Sequence, residues 1–180
     1  STGTVRGIEM LTLKTGAGDD VITTARTVTS YDATFGYNDV IDTGSGSDRV
    51  VITGGRDTVA MGDGVDTLVL DWSLIGRSVS TLDPAGNGGP LAASATGWSG
   101  SFVGDDSRYF NRVDFTGVDV FDIKTGSGSD SLMTGSGNDI VSTGSGNDAM
   151  NTGTGIDIVD GGGGIDRWEA DKSAATGAQP

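Results

Sequence analysis

The sequence predicts an all-β chain assembled from nine-residue units. Three observations carry this reading. The frame x-G-x-G-x-D-x-U-x, with U a large apolar residue, recurs along two stretches of the 180 residues. Of 25 acidic residues, 23 are aspartate, a poor helix former and a good turn former. Many of the 32 glycines fall at fixed places before those aspartates, where a turn needs positive φ.

The units follow in chain order. The first clear one is TGAGDDVIT (15–23). A ten-residue stretch, TARTVTSYDA (24–33), has lost the signature, and TFGYNDVID (34–42) keeps only the aspartate and U. Next come TGSGSDRVV (43–51), the degraded ITGGRDTVA (52–60) and MGDGVDTLV (61–69). The second array runs through TGSGSDSLM (125–133), TGSGNDIVS (134–142), TGSGNDAMN (143–151), TGTGIDIVD (152–160) and GGGGIDRWE (161–169). The U positions are Ile22, Ile41, Val50, Val59, Leu68, Leu132, Val141, Met150, Val159 and Trp168. Each sits midway in a three-residue strand whose neighbours point the other way. The six residues before each U form the turn.

Between Val69 and Thr125 the signature stops, and most of the aromatics appear there: Trp72, Trp98, Phe102, Tyr109, Phe110, Phe115 and Phe121. Alternation at 98–102 and 113–115 reads as strands, and DPAGNGGP (83–90) as an exposed turn. The expectation is a small β-rich lobe packed on the roll, its aromatics forming core. The units RGIEMLTLK (6–14) and TGVDVFDIK (116–124) keep the nine-residue length and an apolar U (Leu13, Ile123) but lack the G-x-G-x-D turn. The organisation expected is a first array over 1–69, the inserted lobe over 70–115, a second array over 116–173, and at 174–180 the truncated start of a further insertion. Residues 5–20 align with 115–130, and 64–73 with 164–173, as in a longer protein built from modules of about 100 residues.

The frame resembles the nonapeptide repeat of the RTX (repeat-in-toxin) proteins, a match the period and motif make directly. The resemblance implies a right-handed parallel β-roll with two nonapeptides per coil, binding Ca2+ at its turns. This chain departs from the family pattern at the first turn position. Thr15, Thr43, Thr125, Thr134, Thr143 and Thr152 stand where glycine is usual, and each still offers a carbonyl.

With 18 residues per coil, each turn stacks on the turn 18 residues away, about 4.8 Å along the axis. Stacked carboxylates repel, and calcium between them removes the conflict because it accepts six or more hard oxygens, carbonyls included. The candidate metal ligands are Asp20, Asp39, Asp48, Asp57, Asp66, Asp130, Asp139, Asp148, Asp157 and Asp166. Backbone carbonyls of Thr43, Ser45, Gly46, Thr125, Ser127, Gly128, Thr134, Ser136, Gly137, Thr143, Ser145, Gly146, Thr152, Thr154 and Gly155 complete the set. The arithmetic pairs Asp20 with Asp39, Asp39 with Asp57, Asp48 with Asp66, Asp130 with Asp148, Asp139 with Asp157, and Asp148 with Asp166. Four to six ions are expected, against a net charge of −14. The plainer reading is that these aspartates only cap turns.

Composition removes several function classes. The chain has no histidine and no cysteine, so zinc sites and Ser-His-Asp or Cys-His nucleophiles are excluded. The acidic balance argues against nucleic acid, and no apolar run approaches the roughly 20 residues of a membrane span. Ser1–Gly16 lacks the basic start and apolar stretch of an export leader. The reading is a non-enzymatic calcium-binding module that folds outside the cell. It would serve as a structural, secretion-assisting part of a larger type I-secreted or cell-surface protein. The alternative is a ligand-binding segment of an adhesin, for ice, polysaccharide or a cell surface. The one non-periodic polar cluster is Asp105, Asp106, Arg108 and Arg112, for which a solvated loop is the default over catalysis.

Overall fold

A computed structural model describes residues 10–24, 38–104 and 111–170. Among them there is no helix, and sixteen strands form two sheets. The first array holds β1 (Thr12–Ala17), β2 (Val21–Thr24), β3 (Val40–Ser45), β4 (Arg49–Ile52), β5 (Arg56–Ala60) and β6 (Thr67–Asp71). The inserted stretch and its exit supply β7 (Val79–Leu82), β8 (Ala92–Ser94), β9 (Gly97–Gly104) and β10 (Asn111–Val118). The second array holds β11 (Val120–Lys124), β12 (Ser131–Met133), β13 (Ile140–Ser142), β14 (Ala149–Asn151), β15 (Ile158–Asp160) and β16 (Arg167–Glu169).

In each array, successive strands alternate between two walls. One wall runs β1-β3-β5-β10-β9-β7-β12-β14-β16, with β8 paired to β9, and the other runs β15-β13-β11-β6-β4-β2. Every strand pair within an array is parallel, and U sits on U: Ile41 opposite Val59, Val50 opposite Leu68, Leu132 opposite Met150, and Val141 opposite Val159. This is the parallel β-roll architecture. The period of two along each strand turns U inward, and eight of the ten U residues are buried. Val159 is half-buried and Trp168 is 50 % exposed, because no coil stacks beyond them among the described residues.

Glycine lets the turns stack this closely. Gly62 has a φ of 83°, and a Cβ there would lie 1.9 Å from the Gly44 carbonyl oxygen of the coil below. Any side chain at this position would force the coils apart.

Two expectations need correction. The first concerns the pairing around the unit 24–33, which itself lies outside the described residues except for Thr24. β2 and β3 are consecutive half-coils on opposite walls, so Ile22 pairs with Val50, 28 residues on. The second correction concerns the inserted stretch. It does not form a lobe packed on the roll. β10 pairs parallel with β5, β9 and β7 follow antiparallel, and β12 pairs parallel with β7. The insertion therefore widens one wall. A lobe standing aside would leave the facing edges of β5 and β12 with unpaired backbone groups, and the inserted strands satisfy them.

The opposite wall closes directly, β6 against β11, at the cost of a two-residue stagger. Phe121 lies opposite Leu68, whereas Ile123 lies opposite Val141. Where the wall is widened, the interior is filled by aromatics. Phe102 stacks on Phe115 at 5.2 Å between centroids, and Phe121 meets both edge-on at 5.8 and 5.4 Å. With Trp72, 1 % exposed, these side chains join the U residues in one continuous core. The expectation that the aromatics are core holds for these four; Tyr109 and Phe110 lie outside the described residues. The 83–90 stretch is a turn as expected: the Gly86 amide donates to the Asp83 carbonyl at 2.9 Å.

Candidate metal centres in the two turn edges

The turns between the walls stack into two edges. Along the first lie Asp20, Asp48, Asp66, Asp139 and Asp157; along the second lie Asp39, Asp57, Asp130, Asp148 and Asp166. Each edge carries a hydrogen-bonded carboxylate ladder. The Asp48 amide donates to Oδ1 of Asp66 at 2.8 Å, and the Asp39 amide to Oδ1 of Asp57 at 2.9 Å. The same bond joins Asp130 to Asp148 at 2.8 Å, and Asp139 to Asp157 and Asp148 to Asp166 at 3.1 Å. Five of the six expected pairs are thus brought together. The sixth, Asp20 with Asp39, is not: the Asp20 amide donates to Asp48 at 2.8 Å, and Asp39 instead accepts from the Leu11 amide at 2.9 Å. The physical reason is the half-coil parity above.

The ladder accounts for one oxygen of each carboxylate, and the other oxygen separates two kinds of turn. In three turns the first-position threonine caps its own aspartate: Thr125 donates to Oδ2 of Asp130, Thr134 to that of Asp139, and Thr152 to that of Asp157. Thr43 and Thr143 instead donate to carbonyls of the next coil, Met61 at 2.8 Å and Gly161 at 3.1 Å. Ile52 and Met61 have no hydroxyl. In those four turns Oδ2 of Asp48, Asp148, Asp57 and Asp66 is buried without a hydrogen-bond partner. An ionised oxygen buried without a partner is costly, and turn capping does not explain it.

The electrostatics agree. Burial, with the charge of Asp39 adding to it, pushes the Asp57 carboxyl up to about 7, against the pull of the Asp39 amide. Burial also raises Asp66 to about 6, with Asp48, Asp119 and Asp63 adding like charge. Burial raises Asp130 as well, countered by its bonds from Thr125 and Val79. These are carboxylates that a cation would hold ionised. Among the described residues no three acidic side chains converge on one point, so a cation here would draw on backbone oxygens too. Several expected carbonyl donors already accept one bond: Ser45 from the Gly18 amide, Thr154 from the Gly137 amide, and Ser136 from the Trp98 indole at 3.4 Å. A carbonyl has a second lone pair to offer. The residues present fit a hard, oxygen-loving divalent ion such as calcium.

The polar cluster of the inserted stretch gives no second site. Asp105, Asp106 and Arg108 lie outside the described residues, and Arg112 forms an ion pair with Asp114 at 2.6 Å. No helix of the described residues is long and apolar enough to cross a membrane.

Two ladder positions escaped the sequence reading. Oδ2 of Asp119 accepts the Asp66 amide at 2.9 Å, and Asn111 accepts the Gly55 amide at 3.2 Å. Asp119 stands in a G-x-D turn two residues shorter than the repeat. That shortened spacing, with an apolar residue two places on, was the only signal available.

A two-walled parallel coil edged by stacked carboxylates and glycine turns has the architecture of a parallel β-roll. The repeat is similar to the RTX calcium-binding nonapeptide repeat. Its family profile matches four copies within residues 36–59 and 124–159, about a third of the chain, and such repeats bind calcium. Comparison with curated proteins and with solved structures gives no match.

Proposed function

We propose that this chain is a calcium-dependent structural module whose folding is driven by ions held between stacked turns. The observation that carries the reading is the set of four buried carboxylate oxygens without partners, all in repeat turns. The sites are Asp20–Asp48, Asp48–Asp66 and Asp139–Asp157 on one edge, and Asp39–Asp57, Asp130–Asp148 and Asp148–Asp166 on the other. Carbonyls of the same turns complete each shell. Up to six ions would bring the net charge from −14 towards neutrality. Calcium supplies fixed positive charge between carboxylates that otherwise repel.

The module works by linkage. Binding free energy becomes folding free energy when the site exists only in the folded chain. Extracellular calcium modules operate at about 10⁻⁴–10⁻³ M. A chain with such sites stays open at low calcium and closes when exported, which suits a segment of a larger secreted or cell-surface protein. The two arrays and the widened wall between them act as one rod-like unit rather than as a catalyst. The test is circular dichroism and native mass spectrometry in calcium and in excess chelator. The expected result is a strand spectrum and bound ions in calcium, both lost in chelator. A strand spectrum indifferent to chelator refutes the proposal.

A further inference from the structure

The segment that carries the chain out of the widened wall, from Thr116 near the end of β10 to Asp119 just before β11, lacks the nonapeptide signature and lies outside both matched segments. It stacks as a repeat turn all the same. Gly117 has a φ of 73°, and a Cβ on it would lie 2.8 Å from the Gly62 amide nitrogen. Gly62 in turn lies against Gly44 in the repeat manner. The Asp119 and Val120 amides donate to the Asp66 carbonyl at 3.0 and 2.9 Å. In return the Asp66 amide donates to the Asp119 carboxylate at 2.9 Å, repeating the Asp48–Asp66 bond of 2.8 Å. On its other side the Asp119 carbonyl lies under Gly137, where a Cβ would approach it to 2.3 Å. That is the place the Gly137 carbonyl takes under Gly155.

Asp119 therefore extends the first-edge ladder by one step from Asp66, and on its far side the ladder shifts by two residues, the Asp139 carboxylate accepting the Phe121 amide at 2.9 Å. Asp119 stands 53 residues from Asp66 where the repeat would use 18. Asp66 itself is 0 % exposed, and its Oδ2 has no partner. Its stacking neighbours on the two sides are the carboxylates of Asp48 and Asp119. A single ion between Asp48 and Asp66 leaves the Asp119 side of this buried carboxylate facing a second negative charge.

We infer that Asp66 and Asp119 form a further calcium site, made from one repeat turn and one turn outside the motif, that staples the inserted strands into the roll. The inference rests on the calcium reading of the repeats. It adds a ligand that the nonapeptide frame does not contain. The chain can then carry a long insertion without breaking the first-edge ladder at Asp66.

Two experiments test it. Native mass spectrometry of the calcium-saturated chain counts ions in the wild type, Asp119→Asn and Asp119→Ser. Both replacements keep an oxygen for the Asp66 amide and remove the carboxylate. The expected result is one ion fewer in each variant. An unchanged count overturns the inference and leaves the repeat sites standing. Should the variants not fold, anomalous diffraction from wild-type crystals grown in calcium decides. A peak between Asp66 and Asp119 supports the site. Peaks confined to the repeat pairs overturn it, and no peaks anywhere overturn the calcium reading as well.

Discussion

Asp148→Asn separates metal binding from turn capping. Asp148 is 2 % exposed, accepts the Asp130 amide at 2.8 Å, and donates its own amide to Asp166 at 3.1 Å. Asparagine keeps the accepting oxygen and the backbone bonds, so a purely structural role survives the change. What it loses is the charge and the second carboxylate oxygen, now buried without a partner. Asp148 faces two proposed sites, one shared with Asp130 and one with Asp166. At a Kd of about 10⁻⁴–10⁻³ M in about 10 mM calcium, each site contributes about 1.4–2.7 kcal/mol. The variant should therefore be about 3–5 kcal/mol less stable than wild type in calcium. In chelator the loss should vanish, because asparagine removes a buried negative charge that then has no cation to balance it. Strand content there should equal or exceed that of wild type. The assay is denaturant unfolding followed by circular dichroism in both media. An equal loss in calcium and in chelator would mean that Asp148 acts through its hydrogen bonds alone, and the argument fails.

Three other perturbations follow from the same structure. Asp57 and Asp66 hold their protons up to about 7 and about 6, above the ordinary 3.8, so the metal-free fold binds more protons than the open chain between those values. The stability these two groups contribute is fully present below pH 3.8 and is lost as pH rises to about 7; strand content in chelator should be higher at pH 5 than at pH 8, and no difference would contradict this. In calcium the trend inverts, since proton and metal compete for the same oxygens. Gly135→Ala would place a Cβ 2.1 Å from the Trp98 ring, so the indole must leave its contact with the Ser136 carbonyl. A shift of the Trp98 indole N–H resonance and a loss of about 1–3 kcal/mol are expected, and an unmoved resonance refutes the contact. Phe121→Ala empties the centre of the aromatic trio and should cost about 3–5 kcal/mol by denaturant unfolding in saturating calcium. A cost below about 1 kcal/mol would show that the wall junction does not depend on this ring.

Much of the roll was legible in the primary structure because its rules are local. Val50, Leu68 and Val141 are buried because each is the second residue of its strand and points inward, and the frame marks them without reference to any partner. The aspartates of the ladder were legible for the same reason. Their partners were legible only while the spacing stayed at 18. Asp130–Asp148 and Asp39–Asp57 follow from counting, whereas Asp20–Asp48 does not, since it lies 28 residues apart and counting by nine does not predict that step. Asp119 was missed because its turn is two residues short, and only the register of Phe121 on Leu68 reveals the role it keeps. The threonine hydroxyls were read for their carbonyls alone. Thr125 reaches both its own Asp130 carboxylate and the Thr143 carbonyl of the next coil, whereas Thr43 donates to the Met61 carbonyl, and such choices are tertiary facts.

The amino-acid order by itself determined the all-β class, the inward residues, the turn carboxylates and the cation they suit. Each of these follows from backbone preferences and side-chain alternation within nine residues. Tertiary structure alone decided how the inserted strands join the roll. Open edges on β5 and β12 demand hydrogen-bond partners, and the strands of 79–118 supply them within the wall rather than beside it. That choice is made between groups more than fifty residues apart, such as Asp66 and Asp119. No local pattern encodes it, because its energy comes from pairing edges and filling the widened core, which exist only once the coils have stacked.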